Sequence, residues 1–154
     1  MKTYILTVLA VLIIAGCSKK DSKADDIPPV IDLTIPGAFP VQCSELTRGQ
    51  SFEFKAKFTD NVELGSYGLD VHHNFDQHSH STETATCDAD APKTAVKPFL
   101  LVKNYTIPEG NTSFEASVSI EVPADVDTGD YHFMIKLTDR QGWQTLRGIS
   151  IKIK

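Results

Sequence analysis

From residue 51 onward the chain alternates. Phe52, Phe54, Ala56 and Phe58 share one parity, and Glu53, Lys55 and Lys57 share the other. Phe114, Ala116, Val118, Ile120 and Val122 repeat the pattern opposite Glu115, Ser117, Ser119 and Glu121, and Tyr131, Phe133, Ile135 and Leu137 repeat it again. Ile149, Ile151 and Ile153 close the chain in the same way. Successive side chains of a strand point to opposite faces, so a period of two marks half-buried strands. Turn residues punctuate the runs at Thr47-Arg48-Gly49, Pro108-Glu109-Gly110, Asp127-Thr128-Gly129-Asp130 and Asp139-Arg140-Gln141-Gly142. Short strands at this spacing predict an all-β sandwich or barrel. We place them at 30–35, 51–58, 67–74, 99–107, 112–122, 131–138 and 145–153.

Two segments carry a resemblance that sharpens the fold. Val122-Pro123-Ala124-Asp125 through Thr128-Gly129-Asp130-Tyr131, continued by Leu137-Thr138-Asp139-Arg140-Gln141-Gly142, resembles the last hairpin of bacterial immunoglobulin-like domains. Phe58-Thr59-Asp60-Asn61-Val62-Glu63-Leu64 resembles the loop that leaves their second strand. The resemblance implies an immunoglobulin-like Greek-key β-sandwich of about seven strands, A to G in the order given above with 99–107 as D, and a tyrosine corner at Tyr131. It is nearly silent on function, because this sandwich hosts many roles.

Residues 75–98 carry no periodicity, and a stretch of about two dozen residues without its own elements is functional or disordered. It begins at the densest chemistry in the chain. Four of the five histidines fall in His72-His73-Asn74-Phe75-Asp76-Gln77-His78-Ser79-His80. Neutral imidazole is the commonest metal ligand among side chains. Leu69 and Val71 face the core, so His73 shares the core parity while His72 shares the outer face with Asp70 and Asn74. Tyr131 and Phe133 face inward, which turns the fifth histidine, His132, outward. C and F are neighbours in an immunoglobulin-like sheet, so His72 and His132 are expected side by side, with opposed Cβ atoms about 5 Å apart. His78 and His80 leave an extended backbone on one side. Asp76 is a candidate ligand or a carboxylate that holds an imidazole tautomer. The candidate metal set is His72, His73, Asp76, His78, His80 and His132, and zinc or copper fits such nitrogen-rich ligation best. Each has a blander alternative: a buried structural histidine at position 73, a strand-surface residue at 132, a solvated loop at 78 and 80. Met134 is read as a sheet-packing residue, and Phe75 as an anchor for the loop.

The N-terminus is of another kind. Met1-Lys2 precedes an apolar run ending Ile14-Ala15-Gly16-Cys17. A charged start, a short apolar core and small residues before a cleavage point describe a secretory signal, too short to span a bilayer comfortably. Ile14-Ala15-Gly16-Cys17 resembles a bacterial lipobox, which implies cleavage after residue 16 and acylation of Cys17. The expected organisation is a signal peptide at 1–16, a lipidated cysteine with a polar tether at 17–28, and the sandwich at 29–154 with a His-rich insertion at 72–98. The lysines and acids of 18–26 loosely resemble export signals of Bacteroidetes surface lipoproteins, so the expected location is the outer membrane, on its periplasmic face or the cell surface. With Cys17 in lipid, Cys43 and Cys87 remain, and in an oxidising compartment two leftover cysteines most simply form a disulfide. The alternative is a cysteine that joins the histidines.

The whole motif, Gly65-Ser66-Tyr67 followed by His72-His73-Asn74-Phe75-Asp76 and His78-Ser79-His80, is similar to a Bacteroidetes lipoprotein family built on a domain of unknown function with an HHNFDHHSH-like signature. Gln77 stands where that signature often has histidine. The formal net charge is -5, with acids and bases interspersed and no arginine cluster, which argues against a nucleic-acid partner. These features point first to a lipid-anchored metal-binding protein engaged in metal acquisition or buffering, with an outer-membrane receptor or another surface protein as candidate partner. The alternative is an adhesion or glycan-binding module, for which Trp143 at the F–G turn is the exposed aromatic candidate. No catalytic residues are assigned: there is no G-x-S-x-G elbow, and the spacing does not align with the histidines of copper/zinc superoxide dismutases.

Overall fold

The computed structural model describes residues 25–80 and 87–154. Within them the chain forms β1 (Val30–Asp32), β2 (Ser44–Leu46), β3 (Ser51–Thr59), β4 (Leu64–His73), β5 (Leu101–Thr106), β6 (Ser113–Glu121), β7 (Gly129–Asp139) and β8 (Gln144–Ile153). They build a three-stranded sheet of order β1-β3-β6 and a five-stranded sheet of order β2-β8-β7-β4-β5. This is an immunoglobulin-like sandwich, with no helix among the described residues. The parity read from sequence decides what lies between the sheets. Phe54, Ala56 and Phe58 of β3 and Ala116 and Ile120 of β6 bury against Tyr67, Leu69 and Val71 of β4 and Phe133, Ile135 and Leu137 of β7. The Phe54 ring stacks on Phe133 at 5.6 Å between centroids. Fully burying one such side chain stabilises by roughly 1.5–3 kcal/mol.

Two expectations need correction. The strand expected as D runs antiparallel to β4 at the edge of the larger sheet, with Asp70 opposite Val102 and Tyr67 opposite Tyr105. It therefore takes the place beside C rather than beside E. Its outward residues are largely exposed and its only strand neighbour is β4, so its weak alternation could not say which sheet it joins. Strand A is split: β1 pairs with β3, then the chain crosses the sandwich and β2 pairs parallel with β8. Three residues are too few for a period to show in sequence.

The irregular stretch is tied down rather than loose where it is described. Asp127 Oδ2 accepts the N–H groups of Val96 and Lys97 at 2.7 Å each, and Asp130 Oδ2 accepts that of Asp90 at 2.6 Å. Tyr131 donates its hydroxyl to the Asp127 carbonyl at 2.7 Å, the expected tyrosine corner, and accepts the Phe99 N–H at 3.1 Å. Cys43 and Cys87 form a disulfide, with Cα atoms 5.6 Å apart. Phe75 is buried at the root of the stretch, edge-on to Tyr131 at 5.2 Å and under the Lys93 ammonium at 4.5 Å. Gly129, at φ +121°, lies where any Cβ would meet the Phe75 ring at 3.1 Å, so glycine is required there on both counts. The expected signal segment 1–16 and Cys17 lie outside the described residues, as does most of the expected tether.

Candidate metal centre

The site is assembled from β4, β7 and the loop that leaves β4. The β4–β7 register sets His72 directly opposite His132 and Asp70 opposite Met134, on the outer face of the larger sheet. Beyond His73 the Asn74 N–H bonds to the Asp130 carbonyl at 2.8 Å, and a turn closes with the Gln77 N–H on the Asn74 carbonyl at 3.2 Å. Gln77 adopts φ +58°, a left-handed conformation that costs a non-glycine residue about 1 kcal/mol. That turn reverses the chain and lays His78 and His80 back over the strand pair.

Four imidazoles meet there. The ligand nitrogens of His72, His78, His80 and His132 all lie within 4.8 Å of one another. Their ring centroids are 4.6–5.6 Å apart in all six pairs. His72 Nε2 and His80 Nε2 approach to 3.1 Å. Two lone pairs repel at that distance, so a proton or a cation belongs between them. Nitrogens bound tetrahedrally to one zinc at 2.0–2.1 Å are separated by about 3.4 Å, so modest ring rotations bring the four to one ion.

The ring tautomers are set by two carboxylates. The Asp70 carboxylate accepts from His72 Nδ1 at 2.5 Å, and that of Asp76 accepts from His78 Nδ1 at 2.6 Å. With Nδ1 protonated, Nε2 of each neutral ring carries its lone pair toward the cluster, the arrangement by which carboxylates orient histidine ligands and raise their basicity. The hydrogen bond with His78, first among its causes, holds the Asp76 carboxyl below the usual aspartate range. His132 has no exposed surface because the loop roofs it, and its Nε2 lies 3.3 Å from the His78 carbonyl. Burial, reinforced by the three neighbouring rings, pushes its pKa down to about 4. It is neutral at physiological pH, the form a metal needs.

Of the six residues expected to bind metal, the structure thus brings four together. His132 shares the outer face with His72, but it is covered rather than surface-exposed. His73 goes elsewhere: its strand parity is opposite, and its ring packs on Phe75 at 4.9 Å. Asp76 bonds to His78 through Oδ1 and is not among the four residues whose ligand atoms converge. Gln77 donates its side-chain amide to the Asp90 carbonyl at 2.9 Å, so its side chain braces the insertion. Asp70 was not among the sequence candidates. Its signal was present all the same: Asp70-Val71-His72 and Asp76-Gln77-His78 repeat an Asp-x-His spacing, which in the strand segment 70–72 puts both side chains on one side.

The buried His132 has a measurable consequence in metal-free protein. Its folded pKa lies below the ordinary imidazole value of 6.5, so the unfolded chain binds the proton more readily. Stability from this group is intact above pH 6.5 and declines as pH falls toward 4, by up to about 3 kcal/mol. Urea denaturation in chelator at pH 7.5, 5.5 and 4.5 should show that decline in wild type and a correspondingly smaller one in His132→Gln. Parallel declines in the two proteins would refute it.

The comparisons leave the site unassigned. The family described as "Domain of unknown function (DUF4625)" matches residues 15–154. Among solved structures, "GspB Siglec domain" is similar at 23% identity and a TM-score of 0.45, over 84% of this chain and 59% of that one. The chain therefore spans 59% of the length of that structure. A Niemann-Pick type C2 protein from Japanese carpenter ant is similar at 15% identity and a TM-score of 0.42, over 83% of this chain and 90% of that one. No curated protein matches the chain.

Proposed function

Because the chain belongs to the family described as "Domain of unknown function (DUF4625)", a description that names no ligand, we propose from the site itself that this protein binds one transition-metal ion through His72, His78, His80 and His132. The observation that carries the reading is the convergence of four imidazoles, with His72 Nε2 at 3.1 Å from His80 Nε2 and the tautomers of His72 and His78 set by Asp70 and Asp76. A hydrophilic surface patch has no reason to hold four imidazoles, one of them buried, with their ring nitrogens converging. Zinc is the best fit, since it takes neutral nitrogens tetrahedrally, and copper(II) is the main competitor. Four protein ligands fill a tetrahedral zinc shell and leave no open position, which favours holding the metal over activating water with it. The lipobox-like Ile14-Ala15-Gly16-Cys17 supports a lipid-anchored protein at the outer membrane. There, metal binding on a tethered domain would serve acquisition or buffering, with delivery to or from a neighbouring membrane protein. The exposed Trp143 gives the glycan-binding alternative little support, because its indole N–H is already bonded to the Asp25 carbonyl at 2.8 Å.

The test uses the full chain in mild detergent, purified without a histidine tag and dialysed against mixed zinc, copper, nickel, iron and manganese. Mass spectrometry should find close to one equivalent of zinc or copper per chain. Folded, disulfide-bonded protein that retains less than about a tenth of an equivalent, far below what a structural-type affinity would hold, would overturn the proposal.

A further inference from the structure

A second convergence sits at the other end of β4 and β7. Asp25 in the lead-in to β1, Asp60 just after β3 and Asp139 at the end of β7 bring carboxylate oxygens to within 4.8 Å of one another. We propose that these three carboxylates hold a hard divalent cation, calcium by preference, which clamps the N-terminal lead-in to the end of the sandwich.

Each carboxylate has one oxygen with an evident structural task. Asp60 Oδ2 accepts the N–H groups of Val62 at 2.8 Å and Glu63 at 2.7 Å. Asp139 Oδ1 accepts those of Gly142 at 2.6 Å and Trp143 at 2.8 Å, closing the turn into β8. Asp25 Oδ1 accepts from the Ile27 N–H at 3.2 Å and the Asn61 amide at 2.8 Å. The second oxygens are different. Asp25 Oδ2, Asp60 Oδ1 and Asp139 Oδ2 are all shielded from solvent and have no hydrogen-bond partner. Asp139 is only 4% exposed as a residue, so its unused oxygen is cut off from bulk solvent. Turn formation accounts for the first oxygen of each residue and leaves the second unexplained.

Electrostatics says what is missing. A carboxylate out of water needs a cation or donors, and three facing one another repel. Arg140, next to Asp139 in sequence, is engaged with Glu63 and Glu109 instead. Calcium binds oxygen at 2.3–2.6 Å, so two oxygens on one ion are at most about 5 Å apart, and the observed separations fall inside that limit. An all-oxygen set of high negative charge selects a hard cation, whereas the imidazole cluster selects a borderline one. His132 and Asp139 lie seven positions apart on β7, roughly 23 Å at strand rise, so the two sites are independent. The clamp needs nothing from the imidazole proposal.

Trp143 is the only tryptophan in the chain, and its bond to the Asp25 carbonyl puts an energy donor beside the site. The full chain in detergent, stripped of metal, should show tryptophan-sensitised terbium emission that calcium displaces. It should also gain about 5 °C in Tm in 10 mM calcium chloride, the shift expected for a sub-millimolar site. Asp60→Asn keeps an oxygen for the two turn N–H groups but removes a charge, and Asp25→Asn lies outside every strand, so both should fold and lose both responses. The His72/His78/His80 triple alanine variant should keep them. Stripped wild type with neither emission nor a calcium-dependent shift would overturn the proposal, as would responses that persist undiminished in both aspartate variants.

Discussion

Replacing His72, His78 and His80 together by alanine is expected to weaken zinc binding by roughly five orders of magnitude or more and leave the sandwich folded. Structural zinc sites bind with about 10–16 kcal/mol, so each of four imidazoles carries on the order of 2.5–4 kcal/mol. Three are removed here. The fold should survive because none of the three is in the core: the His72 and His78 side chains keep 28% and 35% of their surface in solvent, His72 leaves the outer face of the sheet, and His78 and His80 lie on the loop beyond β4. His132 is left out of the variant deliberately, since its truncation would open a cavity and confuse lost ligation with lost packing. Asp70→Asn and Asp76→Asn should be milder, each costing roughly 10–100-fold, because they free the tautomer without removing a ligand. Competition against a chromophoric zinc chelator reads the whole series. Wild-type affinity in the triple variant would move the metal to another part of the chain. Equal affinity in the aspartate variants would retain the ligands and discard the role given to the carboxylates.

How far the site could be read from sequence follows from which contacts are local in strand geometry. Parity and the adjacency of C and F were enough to place His72 beside His132, because in a sheet those two rules determine which side chains face each other. Parity alone puts His73 on the core side, although it stands in the candidate metal set, and its ring packs on Phe75. The fold-back of the loop was not readable, since it depends on Gln77 adopting a left-handed conformation that its residue type does not advertise. Without that reversal His132 looks exposed, and with it the residue is roofed and neutral. Asp25, Asp60 and Asp139 were hidden for a different reason. Two of them sit in turns or strand ends where aspartate is expected anyway, and only the unused second oxygens set them apart. The edge position of β5 and the short β2 were lost because edge strands and three-residue strands carry almost no periodic signal.

The sheet therefore supplies a pair of candidate ligands, His72 and His132, while the other two, His78 and His80, ride on a loop that is fastened at its ends. One end is Phe75, buried against Tyr131. The other leads to Cys87, which the disulfide fastens to Cys43, and the Cys43 N–H is bonded at 2.8 Å to the carbonyl of Ser150, the β8 residue opposite His132. The bridge thus ties the far side of the loop to the strand next to the buried ligand. It should act twice. With a sequence separation of 44, the Cys43→Ser/Cys87→Ser variant is expected to lose about 4 kcal/mol of stability in metal-free urea denaturation, through the greater freedom of its unfolded chain. In the folded state the released loop must be ordered by the metal itself, so zinc affinity should fall as well, roughly tenfold for each 1.4 kcal/mol of ordering. The two effects separate cleanly. A variant that loses stability but binds zinc like wild type would show that the turn at Gln77 and the bond from Gln77 to the Asp90 carbonyl hold His78 and His80 unaided. A loss in both places the disulfide among the elements that preorganise the centre, and makes the redox state of its compartment a condition for metal binding.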